Sequence, residues 1–372
     1  MRLSFSHQPR PDYVLLALVG FVTLIGLIAL TSASGIVAYS KFGDSLFYVK
    51  RQVLYGLCPG LVLLCIGMTV PYHFWRRWAL PFFLFTMLLL VLVLIPGVGA
   101  SYGRARSWFN VGGISFQPSE LAKLSFLLYL AAWLERRSAS LASLREGLLP
   151  FLILLGCVAG LIAFQPDVGT MGLIVSMAIA VYFVAGAPLW HLGMVVGGVM
   201  TAGAGLIAIA PYRLARLLTF LSPDADPSGA GYQLAQALLA IGSGGIFGRG
   251  LGASRQKFQY LPEVAGDSII AIIGEELGFV ALTLLLLIFF AILWRGFRIA
   301  RRAPDRFSQL VVVGVCSWII VQAFFNIGSM IGILPLTGLP LTFVSYGGTA
   351  LAMIFFAVGI VLNISKHITP ES

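Results

Sequence analysis

Charged residues make up only 10% of the 372 residues, against about 25% in a soluble domain. Acidic residues are the scarcest, 14 Asp+Glu beside 24 Lys+Arg. Such a chain cannot coat a water-facing surface, which excludes an ordinary soluble globule. The four cysteines, Cys58, Cys65, Cys157 and Cys316, sit in apolar runs and form no CxxC pair, which argues against a disulfide framework or a zinc site. There is no solenoid period and no low-complexity tail, so one domain over residues 1–372 is expected. The glycine-rich run at 242–252 follows no strand and no βαβ unit, so it is not a dinucleotide fingerprint.

What the chain has is hydrophobicity: 59% of residues are apolar and the mean hydropathy is +0.96. The bilayer is then the solvent for most of it, and the net charge of +10 suits cytoplasmic loops and anionic headgroups rather than a nucleic acid. A spanning helix needs roughly 20 apolar residues. Hydropathy predicts ten, near 12–33, 50–70, 79–97, 117–134, 148–164, 168–187, 190–210, 269–294, 308–333 and 344–365. The first apolar run is too long for a signal-peptide core and reads as an uncleaved helix. An even count puts both termini on one side, and the arginine-rich 295–306 loop marks that side as cytoplasmic. The opposite side carries the long 211–268 segment, where Leu234, Leu238 and Ile241 recur on one face of a short amphipathic helix.

Ionisable groups inside an apolar bundle are expensive and usually face a cavity or a partner. Glu120 and Lys123 stand at i, i+3 at a helix start, suited either to a structural ion pair or to a substrate. Asp167 follows Pro166 between two helices and suits an N-cap. Arg104 and Arg106 lie among aromatics, as interfacial anchors or as a guanidinium clamp on a diphosphate. Asp267 directly precedes an apolar helix, suited to an N-cap or to a general base at the membrane surface. Glu275 and Glu276 point about 100° apart, so at most one easily faces a given cavity. Gln322 and Asn326 lie at i, i+4 inside a helix, where interhelical hydrogen bonding is the natural role. Residues 334–340 and Ser345 break the apolar pattern, which lipid tolerates only where protein or a wet cavity covers the backbone. A transporter and a lipid-substrate enzyme both fit this all-α bundle with an outward polar cavity.

Five segments together carry a resemblance: Gln117-Pro118-Ser119-Glu120-Leu121-Ala122-Lys123, Gln165-Pro166-Asp167-Val168-Gly169-Thr170, the glycine loop through Gln256-Lys257, Gly274-Glu275-Glu276-Leu277-Gly278, and Val344-Ser345-Tyr346-Gly347-Gly348. The chain resembles the SEDS (shape, elongation, division, sporulation) peptidoglycan glycosyltransferases. The resemblance implies a SEDS-type helical bundle in the bacterial cytoplasmic membrane, with the large outer loop between helices 7 and 8. It implies polymerisation of lipid II, an undecaprenyl-pyrophosphate-linked disaccharide-pentapeptide, on the outer face, with Asp267 as the catalytic base. Arg104, Arg106 and Lys123 would meet the pyrophosphate. Glu120, Lys257, Glu263 and Glu275 would line the substrate site, and Asp167, Gln322, Asn326 and Ser345 would support helix packing. A divalent cation (Mg or Mn) is a possible assistant. The implied partners are the lipid-linked glycan, a class B penicillin-binding transpeptidase and other divisome or elongasome membrane proteins. Residues 250–263 are more similar to the division (FtsW-like) branch than to the elongation (RodA-like) one. One departure stands out: Ala265, Gly266 and Ser268 flank Asp267 where the family usually has His, Thr or Ser, and Phe. The rival expectations are a lipid II flippase and a non-catalytic scaffold.

Overall fold

The computed structural model describes residues 10–102, 105–209, 214, 219–222 and 229–368. Each of the ten expected segments is a helix: α1 (Tyr13–Phe42), α2 (Phe47–Thr69), α3 (Tyr72–Leu92), α4 (Pro118–Arg136), α5 (Leu144–Phe164), α6 (Val168–Val184), α7 (Leu189–Ile209), then, after a further helix α8 (Ala230–Gly244), α9 (Ile269–Arg301), α10 (Arg306–Met330) and α11 (Gly348–Ser365). Seven of these (α1, α2, α3, α5, α9, α10 and α11) are long and apolar enough to cross a membrane, and α6 and most of α7 are shorter apolar helices.

The differences in boundary have local causes. Helix α1 runs past 33 because its hydroxyls fold back onto the helix: Ser34 Oγ donates to the Leu30 carbonyl at 2.7 Å and Thr31 Oγ1 to that of Leu27 at 2.7 Å. Helix α3 begins at Tyr72 rather than 79, because Arg76, read as loop, is held by Glu135 of α4 at 3.0 Å. A three-stranded antiparallel sheet, β1 (Ala100–Tyr102), β2 (Ala105–Val111) and β3 (Ile114–Phe116), fills the α3–α4 connection where no strand was expected. In α8 the buried side chains are those of Leu234, Ala237 and Ala240, whereas Leu238 is 45% exposed. The expected Leu234–Leu238–Ile241 stripe is therefore rotated toward the smaller side chains.

Helices α10 and α11 form the centre, with 72% and 78% of their apolar windows buried against 22–39% for the other five long helices. Low burial elsewhere leaves apolar side chains facing outward, as a lipid solvent allows. Helix α2 lies directly on α11 because both are notched: a Cβ on Gly67 would fall 2.8 Å from the Phe356 carbonyl oxygen. Without a strong hydrophobic drive between helices in lipid, such close backbone approach is what holds them.

The bundle has two unlike ends. At one, Asp12 caps α1 through the Leu15 N–H (2.9 Å), pairs with Arg295 (2.6 Å), and donates its own N–H to Ser365 Oγ (2.9 Å). Tyr72 Oη donates to Asp305 there (2.9 Å), and Arg306 reaches the Val184 carbonyl (2.6 Å). The other end gathers the sheet, the 165–167 turn, the stretch before α9 and the irregular 331–347 segment.

A side chain at Gly67 has nowhere to go, and overpacking costs about 1–3 kcal/mol. Gly67→Val is expected to unfold at a clearly lower temperature than Gly20→Val, whose Cβ meets nothing within 4 Å. Thermal unfolding monitored by size-exclusion chromatography in detergent checks this, and equal midpoints would refute the close-approach account.

Candidate functional site

Asp267 closes the irregular stretch before α9. Its carboxylate is half-buried. Gln233 of α8 donates Nε2–H to Oδ1 at 3.3 Å, and Ser268 Oγ donates to the same oxygen at 3.4 Å. Asn326 of α10 holds the backbone instead, donating Nδ2–H to the Asp267 carbonyl (2.8 Å) and to the Leu339 carbonyl (2.8 Å). The Tyr346 N–H donates to the Ala265 carbonyl (2.8 Å). Helices α8 and α10 and the 339–346 segment thus converge on one aspartate. Burial, reinforced by the nearby Glu263 carboxylate, pushes the Asp267 pKa up to about 6, although Gln233 and Ser268 pull it down.

The preceding segment is anchored inside the bundle by two adjacent carboxylates. Glu275 accepts from Ser254 Oγ (2.5 Å) and the N–H groups of Arg255 (3.0 Å) and Gln256 (3.3 Å), with Arg249 at 3.7 Å. Glu276 accepts from Lys257 Nζ (2.8 Å) and from Ser32 Oγ of α1 (2.6 Å). One turn on, α9 breaks at Gly278, whose φ of 77° and ψ of −173° are non-helical. The freed groups are used by the glycine loop: the Phe279 and Val280 N–H groups donate to the Gly245 and Ile246 carbonyls, and the Arg249 and Gly250 N–H groups donate to the Glu275 and Glu276 carbonyls. A Cβ on Gly278 would collide with the Gly248 backbone. Both glutamates are therefore engaged, where at most one was expected to face a cavity. Glu275 and Lys257, expected at the substrate, are 1% and 4% exposed and anchor the loop.

A second buried cluster lies between α4 and α10. Lys123 and Glu120 pair at 2.7 Å. Lys123 is completely enclosed, with its ammonium 4.9 Å from the Trp318 ring centroid and 3.4 Å from Gln322 Oε1. Trp318 Nε1–H also donates to that oxygen (2.8 Å), while Gln322 Nε2–H donates to the Pro340 carbonyl (2.8 Å). Trp318, Gln322, Thr342 and Ser345 line a small cavity here. Enclosure makes Glu120 and Lys123 supports of the irregular 340 segment in this conformation, where a substrate contact was expected.

The remaining candidates are spread around the same end. Asp167 caps α6 through the Thr170 N–H (3.0 Å) and accepts from Gln117 Nε2 at the start of α4 (3.3 Å). Ser345 Oγ accepts the Leu341 N–H (2.8 Å), closing the turn before α11. Arg106 sits on β2 with Nη1 3.5 Å from the Leu94 carbonyl. Glu263 is exposed. Arg104 lies outside the described residues. Among the described residues no three His, Cys, Asp or Glu side chains gather as a metal site. The oxygens of Glu275 and Glu276 are already taken, and no step is routed through a divalent cation. Gln233, Ser32 and Trp318 were not singled out as site residues by sequence reasoning. A neutral glutamine on an amphipathic helix looks like solvent-facing surface.

The pattern of the FtsW/RodA/SpoVE family, described as cell cycle proteins, matches residues 12–369. Stage V sporulation protein E of Bacillus subtilis is 44% identical over 97% of this chain and 99% of its own length. A Geobacter protein named probable peptidoglycan glycosyltransferase FtsW is 38% identical over 96% and 97%. Among solved structures, a chain from work on the structural coordination of polymerization and crosslinking by a peptidoglycan synthase complex superposes with a TM-score of 0.82 at 29% identity, over 97% of this chain and 99% of that one. The rod shape determining protein RodA of Thermus thermophilus gives 0.71 at 30% identity, over 97% and 98%.

A carboxyl whose pKa is raised on folding stabilises the fold at low pH and loses that contribution as pH rises through its folded value. Asp267→Asn is thus expected to be more thermostable than wild type at neutral pH, with the gap closing as pH falls through about 6; a pH-independent gap would contradict the burial argument. Removing one partner of a buried ion pair costs about 3–5 kcal/mol. Lys123→Met should therefore destabilise strongly, and Glu120→Gln with Lys123→Met should recover part of the loss in the same unfolding assay.

Proposed function

This chain belongs to the FtsW/RodA/SpoVE family of cell cycle proteins, and on that premise we propose that it is a peptidoglycan glycosyltransferase that polymerises lipid II into glycan strands for septal wall synthesis. The observation that carries the reading is Asp267: a half-buried carboxylate at one end of a polar site, held by neutral donors, with its pKa raised to about 6. A general base works best when its pKa lies near the operating pH.

The chemistry is a single displacement. Asp267 takes the proton of the acceptor GlcNAc 4-hydroxyl. The oxygen attacks the anomeric carbon of the donor MurNAc, the bond to pyrophosphate breaks, and the α-linkage becomes β. Undecaprenyl pyrophosphate leaves with both electrons of the broken bond, so negative charge grows on its phosphates and favours cations placed there beforehand. Arg106, on β2, and Arg104 are assigned that role. Lys123, paired with Glu120, supports the floor of the site. Glu263, exposed beside Asp267, is the acidic group a sugar would meet first.

The membrane is the bacterial cytoplasmic one, with the Asp12–Ser365 end in the cytoplasm and Asp267 outside. The arginines at 295–306 support that polarity. The partner is a class B penicillin-binding transpeptidase. The superposition with a chain of a peptidoglycan synthase complex supports it, as the names of the FtsW and sporulation relatives support the division role.

Purified protein with its transpeptidase should convert labelled lipid II to strands, and Asp267→Asn should lower the rate on the order of 10²–10⁴-fold. Strands from neither protein, with the complex intact, would turn the reading to lipid transport or scaffolding. Strands from both at equal rate would keep the enzyme and remove Asp267 as its base.

A further inference from the structure

Helix α8 has no charged side chain, and its middle is short and apolar. Gln233, near its start, makes contacts a solvent-facing glutamine would not. Its Nε2 carries two hydrogens. One points at Asp267 Oδ1 (3.3 Å) and the other at Ser268 Oγ (3.0 Å). Ser268 Oγ, itself fully buried, passes its hydrogen to the same Oδ1 (3.4 Å). Three side chains therefore form a closed ring in which two of the three hydrogen bonds end on one carboxylate oxygen and the third joins the two donors. Among the described residues no other side chain donates to the carboxylate, and the Asp267 N–H bonds its own carboxylate.

That asymmetry has a chemical consequence. A carboxylate anchored through one oxygen by side chains has its torsion restrained, and the other oxygen is left with lone pairs that no other side chain takes. The backbone is pinned as well, by Asn326 Nδ2 on the Asp267 carbonyl (2.8 Å). The groups facing the carboxylate are few: Gln233 from α8, Ser268 from the start of α9, the N–H of Asp267 itself, and the Glu263 carboxylate from the preceding turn, which repels it. Helix α10 and the 339–346 segment meet the backbone here, not the carboxylate.

We propose that Gln233 is the positioning residue of the base: with Ser268 as the third corner it holds Asp267 Oδ1, so that Oδ2 is the atom that accepts the proton. In the step, the hydroxyl proton moves to Oδ2, the O–H electron pair stays on the attacking oxygen, and Gln233 and Ser268 keep their bonds to Oδ1 throughout. The inference rests on Asp267 acting as the base. It also gives Ser268, one of the chain's departures from the usual flank, a hydrogen-bonding role that an aromatic residue there could not fill.

The test is the pH profile of lipid II polymerisation by the intact complex, with an infrared titration of the Asp267 carboxyl that needs no turnover. A donor on the charged form lowers a carboxyl pKa. Gln233→Leu should therefore move both the acid limb and the infrared titration up by about half to one pH unit. Gln233→Glu, nearly isosteric, should move them further because a second negative charge replaces the donor, and Ser268→Ala should move them less than Gln233→Leu. A lower plateau with limb and titration unmoved in both Gln233 variants would mean that Gln233 only packs, and would overturn the proposal while leaving Asp267 as the base. Wild-type polymerisation by Asp267→Asn would remove the base and this proposal together. Should Gln233→Leu fail to fold, the Gln233→Glu pair of measurements decides alone.

Discussion

Two neighbouring carboxylates on an apolar helix each need partners, because neither can be hydrated and neither can turn to the other's side. Glu275 and Glu276 meet that demand by binding the chain that runs before their own helix. Glu275 takes the Ser254 hydroxyl and two backbone N–H groups, and Glu276 takes Lys257 together with Ser32 of α1. The glycine loop is thereby drawn in until its backbone replaces helical bonds lost at the Gly278 break. Irregular backbone at such a position survives only when its polar groups are met by protein. The position of the stretch from 253 to Asp267 follows from this anchoring, since its start is tied to α9 and its end is α9's first turn.

The same rule shapes the other irregular segment. Residues 331–347 interrupt the bundle between α10 and α11. Their carbonyls at Leu339 and Pro340 are taken by Asn326 and Gln322 from α10. Gln322 is in turn fixed by Trp318 and by Lys123, which Glu120 holds. A buried pair of this kind is weak evidence for net stability, but it fixes geometry. Here it sets where the 340 segment sits, and Asn326 carries that placement on to Asp267.

The helices were legible because a bilayer leaves the chain little choice: a long apolar run must satisfy its own backbone, and only a helix does so within one segment. The chemistry-bearing groups were legible by their expense. Asp267, Glu120, Lys123 and the 275–276 pair stand out because ionised groups are rare in such a chain. What escaped was pairing. Nothing in the spacing of Lys257 and Glu276, or in a serine on α1, says that they meet, and Gln233 is neutral and so carries no cost signal. The small sheet escaped because its strands are three to seven residues long and lack a long alternating run. Ends of α1 and α3 shifted because hydroxyls and arginines that look like loop were absorbed by the helices.

Asp267 differs from the other acids in one respect that bears on its chemistry. The buried carboxylates Glu120, Glu275 and Glu276 each have a cation within 4 Å: Lys123, Arg249 and Lys257. The fold sets a cation beside each of them. Asp267 is given neutral donors and an acidic neighbour, Glu263. The charge left over can be relieved in only one way available to the side chain itself, by taking up a proton, and burial with like-charge repulsion raises the drive to do so. The donors on Oδ1 keep that drive in check, so the group remains ionised near neutral pH yet receptive. A carboxylate paired with a cation is a weaker base, and one without donors takes up a proton more readily. The fold places Asp267 between these limits while pairing Glu120, Glu275 and Glu276 with cations.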